Sequence, residues 1–437
     1  MPSLTSKAGT PAAKSSFRYE SGARSFPASQ RLSTSSVTHG GHEQGGELGV
    51  TTPVRATVRP MAKLFLRVLL VLLGIIAVLA CALLIRYGGG EPYPDLSGTP
   101  LFGEDALEVV VTSPEPIGNV AVSADGRVFY TIHPESRPSG AKLLEWVDGA
   151  PKPFPSMEAQ ALFETPLGIA VDQRNRLWTI DHGNHGTGTA RLLAFNLSTG
   201  AVVHSHDFHT SVAELGSFLQ DLQVDSTGRH VFIADVSFWR KNPGIVVYDV
   251  ETGVARRVLN SDPSVTPQSW IIRNPTKFME FFGGLVVLKP GVDGIAISRD
   301  DEWIYYGAMA HDTMYRIAVA DLLDESLSPE ALAARVQAVG RKPLNDGLST
   351  DLDGNLLITD VEHGAVIRMN PEGALTTLIR TRRIRWADAL SYGPEDWLYV
   401  ADSAIPDQML RSKAHMADAA PYHIFRFKPG IAGVPGQ

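Results

Sequence analysis

DGLSTDLDGNLLITD, residues 346–360, reads as a short strand, an Asp-Gly-Asn turn and a second strand. Five other stretches repeat it: GNVAVSADGRVFYTI (118–132), LGIAVDQRNRLWTID (167–181), QDLQVDSTGRHVFIAD (220–235), DGIAISRDDEWIYYG (293–307) and DALSYGPEDWLYVAD (388–402). Equivalent positions near the start of each first strand are 119, 168, 221, 294, 347 and 389, spaced by 49, 53, 73, 53 and 42 residues. Asp, Asn and Gly crowd the turns because hairpin geometry favours residues that tolerate positive φ.

A third strand follows each pair: KLLEWV (142–147), RLLAFNL (191–197), GIVVYDV (244–250), TMYRIAV (313–319), AVIRMN (365–370) and YHIFRFK (422–428). AVVHSHDF, VARRVL and ALTTLIR supply a fourth strand in the second, third and fifth units. Four antiparallel strands recurring about every 50 residues describe a propeller blade. The last unit runs out of chain before its fourth strand, while LEVVVT (107–112) precedes the first unit without a partner. The sequence therefore predicts an all-β fold, a six-bladed β-propeller over 105–430, closed by the N-terminal strand so that no sheet edge is left open. Two packed sandwiches are the alternative, and the near-regular repeat argues against them.

The composition agrees with this fold. Hydrophobic residues make up 44% of 437, enough for a large core, and 40 Gly with 29 Pro suit a turn-rich β protein. Charge is unevenly placed. Seven basic and three acidic residues precede position 61, and Lys63, Arg67 and Arg86 flank an apolar run. The chain sums to −8, so residues 88–437 carry −15. A body so acidic repels phosphate backbones, which argues against nucleic acid as a partner. Cys81 is the only cysteine, leaving no intrachain disulfide, cysteine zinc site or thiol nucleophile in the body.

Val68 to Ile85, VLLVLLGIIAVLACALLI, is apolar throughout, and at ~1.5 Å per residue it spans roughly 27 Å. Basic residues gather before it, so the positive-inside bias places the N-terminus in the cytoplasm and the body outside it, periplasmic or extracellular. The expected organisation is a disordered basic tail (1–61), a transmembrane signal anchor (62–87), a linker (88–104), the propeller (105–430) and a short tail (431–437). A cleaved signal peptide starting at Met61 is the alternative. Its Ala80-Cys81-Ala82 site would lie inside the hydrocarbon stretch, and the lipoprotein-like VLAC meets the same objection. Met61 also offers a second start, which would leave residues 1–60 untranslated. The oligomeric state is not specified by any pattern.

FLQDLQVD (218–225) followed by VFIADVSFWRKNPGIVVYDVETGVARRVL (231–259) resembles the Yellow/major royal jelly protein family, as does LWTIDHG (177–183). The pattern at 346–356 is also similar to the wider senescence-marker/gluconolactonase group. Both resemblances imply a six-bladed propeller, in agreement with the count of repeats. The single cysteine and Gln220, where the family has Asn, depart from the secreted insect proteins, so the chain resembles a bacterial, membrane-tethered branch.

In such a ring the starts of the innermost strands converge on the central channel. Those positions and their neighbours hold Asn119, Gln220, Asp221, Asp293, Asp346 and Asp388. Carboxylates gathered about one axis repel, which favours a bound cation, a cationic ligand such as an amine, or raised pKa values. Turn-capping Asp side chains are the bland alternative. The lactonase resemblance implies a Ca²⁺ or Zn²⁺ ion on Asp293 and Asp346, with Asp221 as general base. The first-repeat Glu of that ligand set falls on Ile117, with Glu115 nearby but out of register.

Asp181, Asp235, Asp360 and Asp402 each end a second strand, and their recurrence reads as a structural role. His204 and His206 share a face of an outer strand, far from the channel, and His209 completes H-x-H-x-x-H. His182 and His185 follow an inner strand and can reach the channel mouth. No G-x-S-x-G elbow or P-loop occurs. Three functions stay open: a propeller that binds a small polar or cationic molecule in its channel, a metal-dependent lactonase, and a protein-interaction scaffold.

Overall fold

The computed structural model describes residues 58–437. The basic tail expected at 1–61 falls almost wholly outside the described residues. Val58–Tyr87 forms one helix, of which Met61–Tyr87 is long and apolar enough to cross a membrane; the large apolar side chains from Met61 to Ile85 are exposed, while Tyr87 is buried against the body. Cys81 lies on it.

Six four-stranded antiparallel sheets follow. Their innermost strands are Ile117–Val122, Pro166–Val171, Leu219–Val224, Val292–Ile297, Leu348–Thr350 and Ala387–Tyr392, for blades 1 to 6. Glu108–Ser113 pairs antiparallel with Tyr422–Phe427, so the N-terminal strand closes blade 6 as the repeat count required. The predicted outer strands of blades 2, 3 and 5 are Val202–Asp207, Ala255–Val258 and Leu375–Arg380.

Burial explains the strand patterns. IGNVAV and VDGIAI are buried at every position because a blade covers each face, whereas VVHSHD on an outer edge is buried at none. The core lies between neighbouring blades. Between blades 3 and 4, for example, Phe232, Ile245, Ile295, Ile304 and Tyr306 pack fully buried. Each large apolar side chain so buried contributes roughly 1.5–3 kcal/mol before conformational entropy is counted, which is how the body dispenses with disulfides. The turns are held as their composition suggests: Asp351 accepts from the Asp353 and Asn355 amides at 3.0 and 2.9 Å, and Asp172 does the same for Arg174 and Arg176. Asp181, Asp235, Asp360 and Asp402 each accept backbone N–H groups across the loops around their strand ends, the structural role their recurrence indicated.

Two segments outside the repeat complete the ring. The 73-residue spacing is accounted for by residues 259–291, which arch over the upper mouth. They pair Trp270–Ile271 with Glu91–Pro92 and form a hairpin of Glu280–Phe281 with Val286–Val287. Within 88–104, Leu101 and Phe102 extend blade 5 by donating to Thr377 and Leu378. At the opposite end, residues 431–437 run across the lower strand ends. The Leu352 amide donates to Ala432, the Tyr392 amide to Gln437, and the Val171 amide to Gly436.

Glycine sets how closely adjacent inner strands approach. A Cβ on Gly347 would stand 2.4 Å from the Asp388 carbonyl oxygen, and one on Gly294 2.3 Å from that of Asp346. Both obstacles are backbone of the next blade. Gly347→Ala is expected to lower the thermal midpoint by an amount corresponding to about 1–3 kcal/mol of overpacking, whereas Gly98→Ala, with open space at its Cβ, leaves it unchanged. Thermal denaturation of the two variants checks this.

Candidate functional site

The inner strands are irregular where they meet the mouth. The ladders shift register between Ile117 and Val120, Pro166 and Ile169, Leu219 and Asp221, Val292 and Ile295, and Ala387 and Ala389. A bulge at the same place in five blades turns the side chain there away from the sheet face and toward the axis. The residues just before the equivalent positions form a ring: Gly118, Leu167, Gln220, Asp293, Asp346 and Asp388. Blades 1 and 2 make it small or apolar, and blades 3 to 6 make it polar and acidic. A second ring stands one residue past each second strand, where His133, His182, Val236, Met309, Val361 and Ser403 each donate a backbone N–H to the loop before their own inner strand.

All six residues expected to face the channel stand at its upper end, and some are in contact. Gln220 Nε2 donates to Asp346 Oδ1 at 3.1 Å, and Trp386 Nε1 donates to Asp346 Oδ2 at 2.7 Å. Asp293 is different: both carboxylate oxygens are buried and accept no hydrogen bond. Asp388 Oδ2 is likewise unpartnered, with His133 Nε2 3.8 Å away. Gln220, Asp293 and Asp346 line the cavity at the mouth, while Asn119, Asp221 and Asp388 are set back from it.

Burial dominates the electrostatics. It pushes Asp346 up to about 7 against the Trp386 and Gln220 hydrogen bonds. It pushes Asp221 up to about 7 against the Leu222 amide and the Asn119 side chain. Asp293 and Asp388 are raised well above the usual carboxylate range, by burial first and then by the charge of Asp346. The ring thus holds protons near neutral pH that separated carboxylates would release.

The walls are apolar: Phe218, Val236, Phe238, Phe281, Leu288 and Trp386 surround some 890 Å³ of space, the open mouth included. That size suits a small organic molecule. The sequence pointed to His185 as a residue able to reach the mouth, and it lines the cavity, with Nε2 3.0 Å from Glu135 Oε1 and its ring stacked on Phe218 at 4.7 Å. Burial works to raise Glu135, but the His185 hydrogen bond and nearby positive charge win and hold it low. His182 is buried, with Nε2 unpartnered, and burial lowers its pKa. Burial also takes His133 down to about 4, so it stands neutral beside Asp388.

Three residues at or beside the site were missed. His133 and Glu135 follow the second strand of blade 1, where HPES departs from the Asp-ended pattern of other blades; that break in the repeat was the available signal. Lys342 is fully buried, with Nζ donating to the Ala308 and Pro343 carbonyls at 2.9 and 3.2 Å. Burial lowers it to about 7, partly offset by the charges of Asp312 and Asp293. Nothing in KPLND marks that lysine as buried. His204 and His206 pack half-buried on the outer edge, where His204 Nε2 shares a hydrogen bond with the Tyr248 hydroxyl at 2.9 Å, and they take no part in the site.

The donor set of the ring is oxygen-rich: both oxygens of Asp293, Asn345 Oδ1 and Asp388 Oδ2 are buried without a partner. Such donors fit a hard cation such as Ca²⁺ better than Zn²⁺, which favours nitrogen and sulfur. The ring carboxylates do not bring three ligand atoms together, however. Among the described residues, three ligand atoms of Asp, Glu or His lie within 4.8 Å of one another only at Asp95, Asp360 and His363, away from the ring. Glu115 does not line the cavity, and Ile117 is buried.

The family model described as Major royal jelly protein matches residues 165–379, from the start of blade 2 to the last strand of blade 5. Among curated proteins, no sequence matches the chain. Among solved structures, a luciferin-regenerating enzyme superposes with a TM-score of 0.50 at 12% identity, covering 76% of this chain and 97% of that one. A calcium-binding regucalcin from Agrobacterium tumefaciens gives 0.49 at 12% identity over 77% and 98%. A gluconolactonase from Xanthomonas campestris gives 0.47 at 14% identity over 74% and 89%. At 12% identity the luciferin-regenerating enzyme is alike in fold alone.

The raised acids make a pH prediction. A carboxyl whose folded pKa exceeds its unfolded one contributes its full stability below the unfolded value and loses it as pH rises through the folded value. His133 and His182, lowered in the fold, act in the opposite direction at acid pH, so the informative quantity is a difference between variants. Asp293→Asn puts an uncharged amide where a carboxyl now faces Asp346. Relative to wild type, it is expected to gain stability as pH rises above the ordinary carboxylate range, seen as a growing difference in thermal midpoint. Thermal denaturation of both proteins from acid to neutral pH checks it.

Proposed function

We propose that this chain, a six-bladed propeller of the major royal jelly protein and gluconolactonase group, binds a small organic cation at the upper mouth of its channel, outside the cytoplasm and anchored by Val58–Tyr87. The observation that carries the reading is the pair of Asp293 oxygens, buried and without a hydrogen-bond donor, at the floor of an apolar cavity. Unsatisfied buried acceptors cost roughly 1–3 kcal/mol each, and a ligand that brings N–H donors and positive charge removes that cost. A primary or secondary amine does both. Its organic part would lie against the apolar walls that Phe218, Phe238 and Trp386 supply. A ring that does not bring three ligand atoms together suits an ammonium group with an organic body better than a bare ion held by three close ligands.

One observation favours a second reading, a lactone hydrolase. Burial pushes Asp221, set just behind the cavity wall, up to about 7, the range where a general base works best, and it would take the proton from a water reaching it. A divalent cation, when bound, would supply polarisation of the lactone carbonyl. Asp293 and Asp346 would hold it, with Gln220 positioning Asp346 through its hydrogen bond.

Thermal-shift titration of the full chain in detergent micelles with short alkyl and aryl amines separates the readings. The amine reading expects stabilisation that grows with concentration, about 2.7 kcal/mol at a hundred times Kd, abolished in Asp293→Asn. The hydrolase reading expects EDTA-sensitive turnover of a γ- or δ-lactone, lost in Asp221→Asn. Absence of any amine-dependent shift rejects the first, and absence of turnover with Ca²⁺ or Zn²⁺ added rejects the second.

A further inference from the structure

The mouth carries a feature that neither blades nor acids account for. The hairpin of residues 280–287 ends in Phe282-Gly283-Gly284, and Phe282, at a φ of 53°, is 67% exposed. Trp239 and Leu410 stand on the same rim, 45% and 58% exposed, and all three line the cavity opening. Three large apolar side chains facing out around one opening call for a cover.

The chain itself points to what covers them. The helix Val58–Tyr87 ends on this rim: the Tyr87 hydroxyl donates to the Trp239 carbonyl at 2.7 Å, and Arg86 Nη2 donates to that of Arg240 at 2.7 Å. Tyr87 packs edge-on to Trp239 at 5.7 Å. Lys289 Nζ donates to the Gly88 and Gly89 carbonyls at 3.0 and 3.1 Å. A Cβ on Gly88 would stand 3.2 Å from the Gly284 carbonyl oxygen at the hairpin tip. The apolar helix therefore leaves the body beside Phe282 and Trp239, not from the lower face where residues 431–437 lie.

Charge agrees. Residues 88–437 carry −15, yet the rim gathers Lys241, Lys289, Lys277 and Arg411 beside Arg86 of the helix, with Glu135 the acid at the opening; Lys241 and Lys277 sit over the rings of Phe238 and Phe281 at 4.3 and 4.1 Å. Arg240 is paired with Glu214, and Glu280 is the one acid of the hairpin. Exposed aromatic residues interleaved with lysine and arginine are the composition of a membrane interface, and anionic headgroups complement them.

We infer that the upper mouth docks on the bilayer surface, with Phe282, Trp239 and Leu410 entering the headgroup layer, so that the cavity opens toward lipid. The inference rests on the helix being retained in a membrane, as proposed above. With the body held there by Tyr87, the rim meets the interface without a separate association step, and local concentration does the rest.

The test uses the full chain in nanodiscs of phosphatidylcholine and phosphatidylglycerol, with and without doxyl-labelled lipid as quencher. Pyrene is placed on native Cys81, or on Phe282→Cys or Leu352→Cys in a Cys81→Ser background. Leu352 is 38% exposed at the lower end, and neither it nor Phe282 is a core residue, so both variants are expected to keep the parent thermal midpoint. The expected result is several-fold quenching at 81 and 282 and none at 352. Quenching at 81 without quenching at 282 overturns the docking and leaves the anchor standing. No quenching at 81 removes the anchor and the docking with it. Excimer emission at 282 without lipid quenching shows that a second copy of the chain covers the rim, which also overturns the inference.

Discussion

Four carboxyl groups are held in buried backbone at the upper ends of inner strands, and their shortage of hydrogen-bond donors governs the rest of the mouth. Asp346 has Gln220 and Trp386, while Asp293 takes no N–H or hydroxyl donor and has only the Asp346 carboxyl to share a proton with. The geometry leaves them little freedom. Gly294 and Gly347 let adjacent inner strands touch backbone to backbone, and the bulges turn the preceding side chains inward. A ring that packs this closely cannot move its acids apart, so the charge problem is solved by protons or by a ligand.

The surroundings sharpen that choice. A wet mouth would screen the acids and leave their pKa values near ordinary carboxylates. Residues 259–291 instead supply Phe281 and Leu288 as walls, and residues 431–437 run across the opposite end. Lys342 brings a buried amine close by, yet spends its hydrogen bonds on the Ala308 and Pro343 carbonyls and leaves Asp293 unpartnered. The acids therefore stand buried without an internal ion pair. Maintaining them so costs stability, as functional sites commonly do.

How much of this was legible follows from what repeats. Blade number, ring closure by the strand near residue 110, the outer-strand place of His204 and His206, and the place of Gln220, Asp293 and Asp346 at the cavity were readable, because period-two patterning and turn chemistry recur six times. The hairpin tip at Phe282, the tail across the lower end and the burial of Lys342 were not, since each occurs once and is fixed by tertiary contacts rather than by local preference. His133 and Glu135 lie between these cases: they occupy a repeated position, and only their departure from it marks them. Register also limited the reading of ligands, because the bulges shift which residue faces the axis, a one-residue change that strand alternation alone does not reveal.

On the proposed reading, the acid ring is protonated when empty and gives up protons to a bound cation. Isothermal titration calorimetry of an amine at pH 7, in buffers of different ionisation enthalpy, measures the protons exchanged on binding. The account predicts net proton release, removed or greatly reduced in Asp293→Asn. Amine binding with no proton release, or with proton uptake, would contradict it.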